Sequence, residues 1–182
     1  MHPNSQAFTA KSGRLERELY SPILISPSSI YLTPEQRQNP PVTELSAVWD
    51  TGAMSTVLTK KVIQTLKIQP ISTTRIAGVT GEETCNVYEL DLYLPNNTRV
   101  QNIQVAEVES LGNHDGLIGM DIIALGDFSV SNVGGKTWFS FIYPPVGTGI
   151  DYLQMIKDYN NKLALNGLVT PGGSKKKTSR RH

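Results

Sequence analysis

Cysteine is nearly absent from this 182-residue chain, Cys85 being the single one. One thiol excludes an internal disulfide and any multi-cysteine zinc site. Histidine is scarce too: His2 and His182 sit at the ends and His114 between them. A histidine-built metal centre therefore has no raw material, and no metal or organic cofactor is expected. No apolar run approaches the roughly 18 residues that cross a bilayer, and residues 1–20 lack the apolar core of a secretory signal. The default expectation is a cytoplasmic protein with no membrane partner. The glycine patterns that cradle nucleotides, GxxxxGK[ST] and GxGxxG, are missing as well.

What is present fits one folded domain with tails. At 38% hydrophobic and 18% charged residues, the chain is too apolar and too weakly charged for wholesale disorder. Net charge is +1, but Lys175, Lys176, Lys177, Arg180 and Arg181 crowd the end, and without those five the first 174 residues stand at −4. A short run of like charge is ordinarily a solvated appendage. It carries no aromatic residues on which bases could stack, so nucleic acid is not expected as a partner.

The order of elements reads as β-rich. Residues 1–19 are polar without a sustained period and read as a flexible arm. Residues 20–49 hold short apolar runs, at 22–25, 30–32 and 45–49, separated by Pro and Ser as in strands joined by turns. Thr59 is placed to cap a short helix over 60–66, with Val62, Ile63 and Leu66 on one face. Strands follow at 73–79, 82–94 and 99–108; in the second, Leu90, Leu92 and Leu94 alternate with Asp91 and Tyr93. Asp121 can cap a brief helix through Leu125. Residues 128–133 and 137–143 flank Gly134-Gly135 as a hairpin. Beyond Pro144-Pro145, Asp151 can cap an amphipathic helix carrying Tyr152, Met155, Ile156, Tyr159 and Leu163, with Gly167 placed to stop it. The expected organisation is an arm at 1–19, a β domain at 20–145, a helical extension at 146–170 and a disordered basic tail at 171–182.

Chemistry concentrates where the apolar strand Ser46-Ala47-Val48-Trp49 runs into Asp50-Thr51-Gly52-Ala53. An acid at the end of such a strand is partly desolvated, and a glycine lets other backbone approach closely. The Asp-[Ser/Thr]-Gly triplet alone arises by chance in on the order of one chain this size in ten to twenty. Two further features raise its meaning. Downstream lies Gly116-Leu117-Ile118-Gly119-Met120-Asp121, and between the motifs sits a glycine-bearing hairpin, Arg75-Ile76-Ala77-Gly78-Val79-Thr80-Gly81-Glu82. In order and spacing, residues 20–143 resemble the retropepsin-like aspartic proteases.

The resemblance implies an all-β, closed-barrel fold with one or two short helices, ahead of the C-terminal helix. It implies that Asp50 is the catalytic carboxylate and that Thr51 locks two active-site loops together. Gly52 would accept the substrate main chain, and Ala53 would pack beneath. Ile76, Ala77, Gly78, Val79, Thr80 and Gly81 would form the flap over a bound polypeptide. Leu117, Ile118 and Gly119 would support the Asp50 loop. Many retroviral members carry an acid shortly after the triplet and an arginine after the second motif's glycine. Here those positions are Met54 and Met120, so both halves of the ion pair are missing together and no charge is stranded. That departure moves the resemblance toward cellular and bacterial members.

Hydrolysis of this kind uses two carboxylates sharing a proton. With one such triplet per chain, the second Asp50 must come from another copy, so a homodimer is expected. The alternative of another class is a catalytically inactive module of the same fold that dimerises or binds peptides. A third is a protease domain excised from a larger polyprotein. Trp49, on the opposite strand face from Val48 and Asp50, reads as core, Cys85 as a small core residue, and His114 as a solvated loop histidine.

Overall fold

The computed structural model describes residues 4–78, 81–147 and 149–165. The chain divides into two units, one ending at Gly147 and the other beginning at Thr148. The first is β-rich and carries the motifs.

Its larger sheet contains β2 (Leu19–Pro27), β3 (Thr43–Trp49), β4 (Val57–Thr59), β5 (Ser72–Gly78), β6 (Gly81–Tyr93), β7 (Arg99–Val108) and β8 (Gly116–Ile118). The strands run β2-β3-β8-β4-β7-β6, and β6 pairs back onto β2, with Ile25 opposite Leu92, to close the ring. β5 lies outside that ring as the partner of the first half of β6. The barrel is filled by Ile23, Ile25, Leu45, Leu58, Leu90, Leu92, Val105 and Ile118, all nearly or fully buried. Each such side chain stabilises the fold by roughly 1.5–3 kcal/mol over leaving it in water. The all-β closed barrel implied by the resemblance is therefore the fold.

Two of its short helices fall where the sequence places them. α2 (Lys60–Leu66) buries Val62, Ile63 and Leu66, the face anticipated from their spacing. Thr59 occupies its N-cap position without a side-chain cap, and its buried hydroxyl finds no partner among the described residues. α3 (Met120–Ile123) follows β8, with Gly119 rather than Asp121 at its N-cap.

Three expectations are corrected. The run at 30–32 is not a strand: residues Ser29–Tyr31 form a helical turn, and α1 (Pro34–Gln38) follows. Thr33 and Gln36 bond reciprocally as a capping box, with Pro34 at the start of the helix. These local bonds outcompete the strand preference of three apolar residues. The arm at 1–19 contains β1 (Gln6–Lys11), paired with β10 (Trp138–Tyr143), which also pairs with β9 (Asp127–Ser131). Phe8 anchors β1, its ring 5.6 Å from Trp49 and 5.7 Å from Phe139. The anticipated hairpin of β9 and β10 is present, and Gly134 and Gly135 both adopt the left-handed conformation that its turn requires (φ 62° and 73°). Third, His114 is packed rather than solvated. Its ring faces Glu18 at 3.2 Å and Ser46 at 3.4 Å, beside Tyr20.

The second unit contains α4 (Tyr152–Leu165), capped as expected by Asp151, whose Oδ1 accepts the Gln154 amide at 2.9 Å. Tyr152, Met155, Ile156 and Tyr159 are exposed on it. Gly167 and the basic tail lie outside the described residues. No helix among the described residues is long and apolar enough to cross a membrane.

Candidate active site

The alternation of β3 decides where its last side chains go. Leu45, Ala47 and Trp49 point inward and are buried. Trp49 stacks on Phe128 (5.7 Å, 7° between planes) and donates its indole N–H to Ser21 at 2.9 Å. Val48 and Asp50 emerge on the other face, half-buried.

Asp50 is fixed from two sides. Its amide donates to the Ile118 carbonyl at 3.0 Å, extending the parallel ladder between β3 and β8. Its Oδ1 accepts the Gly52 amide at 2.8 Å, while its carbonyl accepts the Ala53 amide at 3.2 Å. A Cβ at position 52 would stand 3.1 Å from that Oδ1, so the glycine leaves room for the carboxylate. Oδ2 has no hydrogen bond among the described residues. Thr51 is exposed, and its hydroxyl has no partner within the described residues.

Below the loop, the second motif is laced to the first. The Met120 amide donates to the Ala53 carbonyl at 2.8 Å, and the Asp121 amide to that of Met54 at 3.1 Å. Thr56, fully buried, donates its hydroxyl to Asp121 Oδ1 at 2.8 Å and its amide to Oδ2 at 2.9 Å. The same hydroxyl accepts the Gly119 amide at 3.2 Å. Ser55 backbone lies so near Gly119 that a Cβ there would come within 2.5 Å of it. Ile118 meets the Asp50 loop through the Asp50 amide and Gly119 through the Ser55 backbone, and Leu117 lies beside them on the Val48 face. Asp121 ties the loops together, a role its sequence position does not reveal. Thr56 was missed altogether, its one signal being a β-branched polar residue just before an apolar strand. Met54 is 87% exposed, so the apolar replacement there leaves no buried gap.

Strand registers connect this loop to the β5–β6 hairpin. Val48 pairs with Leu117, Leu117 with Val57, Val57 with Ala106, and Ala106 with Val87. Paired residues share a sheet face, so the face that presents Asp50 runs on to Val108 and Cys85. There, a cavity of about 570 Å³ opens between the turn end of the β5–β6 hairpin and the end of β7. Ile76 and Gly81 line it; β5 and β6 bring Gly78 opposite Gly81, while Val79 and Thr80 lie outside the described residues. Cys85 is buried as expected, and burial pushes its thiol pKa up, with Glu83 and Glu107 adding to the effect. A smaller cavity of about 340 Å³ lies between β1 and β2 and touches neither the Asp50 loop nor β8.

Residues 41–122 match the family model described as aspartyl protease. Among solved structures, the chain is similar to a retropepsin-like aspartic protease from Rickettsia conorii, at 15% identity over 76% of this chain and 95% of that one, with a TM-score of 0.48. It is also similar to the EIAV protease in complex with an inhibitor, at 22% identity over 60% and 88% of the two chains, TM-score 0.44. The Simian Foamy Virus protease matches at 20% identity over 57% and 92%, TM-score 0.37. No curated protein matches the chain. The segment matched by the aspartyl protease model spans the Asp50 loop, the β5–β6 hairpin and the Gly119 turn.

Proposed function

We propose that the chain is an aspartic endopeptidase, active as a homodimer in which the Asp50 residues of two copies share one site. The observation that carries this reading is the setting of Asp50. It is held by Ile118 and Gly52, with one carboxylate oxygen uncommitted on the sheet face that leads to the flap hairpin.

Two carboxylates brought together cannot both hold charge, so one keeps a proton. The ionised Asp50 takes a proton from water as the water oxygen attacks the scissile carbonyl. The protonated Asp50 donates to the carbonyl oxygen, and collapse of the tetrahedral intermediate passes a proton to the leaving nitrogen as the C–N bond breaks. The substrate lies extended, pairing with strand edges as an added strand beneath the flap. Thr51, exposed in the single chain, is free to reach the second copy's loop. The sheet β1-β10-β9 leaves the β9 edge unpaired among the described residues, and Phe128 of that strand stacks on Trp49 next to Asp50. Pairing of two copies along this edge is consistent with bringing both acids together.

The test is cleavage of a random peptide library by the wild type and by Asp50→Asn at several pH values. Cuts by the wild type, favoured on the acid side and lost in the variant, support the reading. Peptide binding without cleavage at any pH overturns it in favour of a binding module.

A further inference from the structure

α4 carries an apolar stripe that lies open among the described residues. Tyr152, Ile156, Tyr159 and Leu163 recur at spacings of four, three and four, with Met155 beside them. Tyr152, Met155, Ile156 and Tyr159 are 58–63% exposed, Leu163 is half-buried, and no residue of the helix is buried. The polar side is bonded to itself, Gln154 Nε2 donating to Asp158 Oδ1 at 2.8 Å. A helix of 14 residues is marginal in water on propensity alone, and packing of its apolar face is what makes it stable.

We propose that this stripe docks on the same stripe of a second copy of the chain, the two α4 helices running antiparallel. The inference rests on the reading of Asp50 as one half of a shared site and names a surface that joins the two halves. The stripe is complementary to itself. Spacings of four and three are those of a two-stranded helical seam, and the order four-three-four reads the same from either end. A two-fold axis between residues 157 and 158 sets Tyr152 against Leu163 of the second copy and Ile156 against its Tyr159. Each layer then pairs an aromatic ring with a branched aliphatic side chain. Charge agrees with this direction. At about 100° per residue, Asp151 and Lys162 lie along one flank of the stripe. The two-fold brings like flanks together, so Lys162 comes within about 3 Å of the level of the second copy's Asp151, twice per dimer. A parallel pair would instead set Lys162 beside the neutral Asn160 and stack like residue on like. The exposed parts of Tyr152, Met155, Ile156, Tyr159 and the flanking Leu153 come to about 100 Å² each, so the pair covers on the order of 1,000 Å². That meets the minimum expected of a specific dimer.

Two measurements on the full chain test this. Sedimentation equilibrium should show a wild-type dimer whose dissociation constant rises at least about thirtyfold in Ile156→Asp, which puts a charge into the seam. The fluorescence of buried Trp49 should not change, because the substituted position is exposed. Orientation is read by cross-linking, for which the native thiol is quiet because Cys85 is buried. Tyr152→Cys and Leu163→Cys chains, mixed and allowed to exchange, should be joined by a short bis-maleimide in up to about half of the dimers, the share expected from random pairing. Tyr152→Cys alone should stay unlinked, since its two thiols would lie about 16 Å apart along the helices. A monomeric wild type, an undiminished dimer in Ile156→Asp, or linking of Tyr152→Cys to itself overturns the helix pairing. Peptide cleavage is scored separately. If the helices link as described and no peptide is cut at any concentration, the proteolytic reading falls and the interface stands; if Ile156→Asp cuts peptides as an undiminished dimer, the interface falls and the proteolytic reading stands.

Discussion

The hydroxyl of Thr56 donates to Asp121 Oδ1 at 2.8 Å while its amide donates to Oδ2 at 2.9 Å, so one carboxylate grips one residue twice. The Ile122 amide is a third donor to it. Thr56→Val keeps the shape of the fully buried side chain but removes the hydroxyl that also serves Gly119. Loss of hydrogen bonding to a buried charged group costs about 1.5–3 kcal/mol. Urea unfolding should show that loss for Thr56→Val, while Thr56→Ser should retain most of the stability.

Gly119 is required for space rather than for backbone freedom. Its φ of −93° suits any residue, yet a Cβ would lie 2.5 Å from the Ser55 backbone. Gly119→Ala should push the Asp50 loop away from β8, destabilising the chain by about 1–3 kcal/mol in overpacking strain. Proteolytic activity should fall further than stability does, because Asp50 loses its alignment. Thermal unfolding and peptide cleavage on the same preparation would check both.

Asp91 is fully buried in the wall of the barrel, next to a register shift in β6. Its carboxylate takes Arg99 Nη2 at 2.7 Å, the Asn102 amide at 2.8 Å and the Ser29 amide at 3.2 Å, tying the turn after β2 to β7. Arg99→Met leaves a buried carboxylate with its amides but no counter-charge. The cost should be about 2–3 kcal/mol, below that of a wholly buried pair because the Arg99 side chain is 32% exposed. Denaturant midpoints would measure it, with peptide cleavage per folded molecule unchanged.

Cys85 offers a probe that needs no variant. Burial and two nearby glutamates push its thiol above the ordinary range, so the folded state favours the protonated thiol. That contribution to stability is present below the unfolded thiol's pKa and is lost as pH rises through the folded one. At pH 8 a disulfide reagent such as DTNB should react with the native protein at least about tenfold more slowly than with the urea-unfolded chain. Equal rates would mean that the thiol is exposed.

Much of the fold was legible from residue pattern. The face of α2, the inward turn of Trp49, the β9–β10 hairpin and the Asp151 cap all follow from local periodicity or turn chemistry. What was not legible depends on partners distant in sequence. β1 is a strand because β10 lies beside it and because Phe8 meets an aromatic cluster drawn from β3, β9 and β10. Asp91 reads as the solvent side of an alternating strand, yet it is buried because the chain after β2 crosses over it. At the candidate site, the Asp50 triplet and the Gly119 turn stand out in sequence, whereas Thr56 emerges only through its bonds to Asp121 and Gly119.

The central claim is that each active site takes one carboxylate from each of two chains. Wild type and Asp50→Asn are mixed in equal amounts, unfolded and refolded together, and peptide cleavage is compared with that of the same total concentration of wild type. Random pairing leaves about one quarter of the dimers with two intact acids. Activity near one quarter is the predicted result; activity near one half would mean that each chain works alone and would contradict the account.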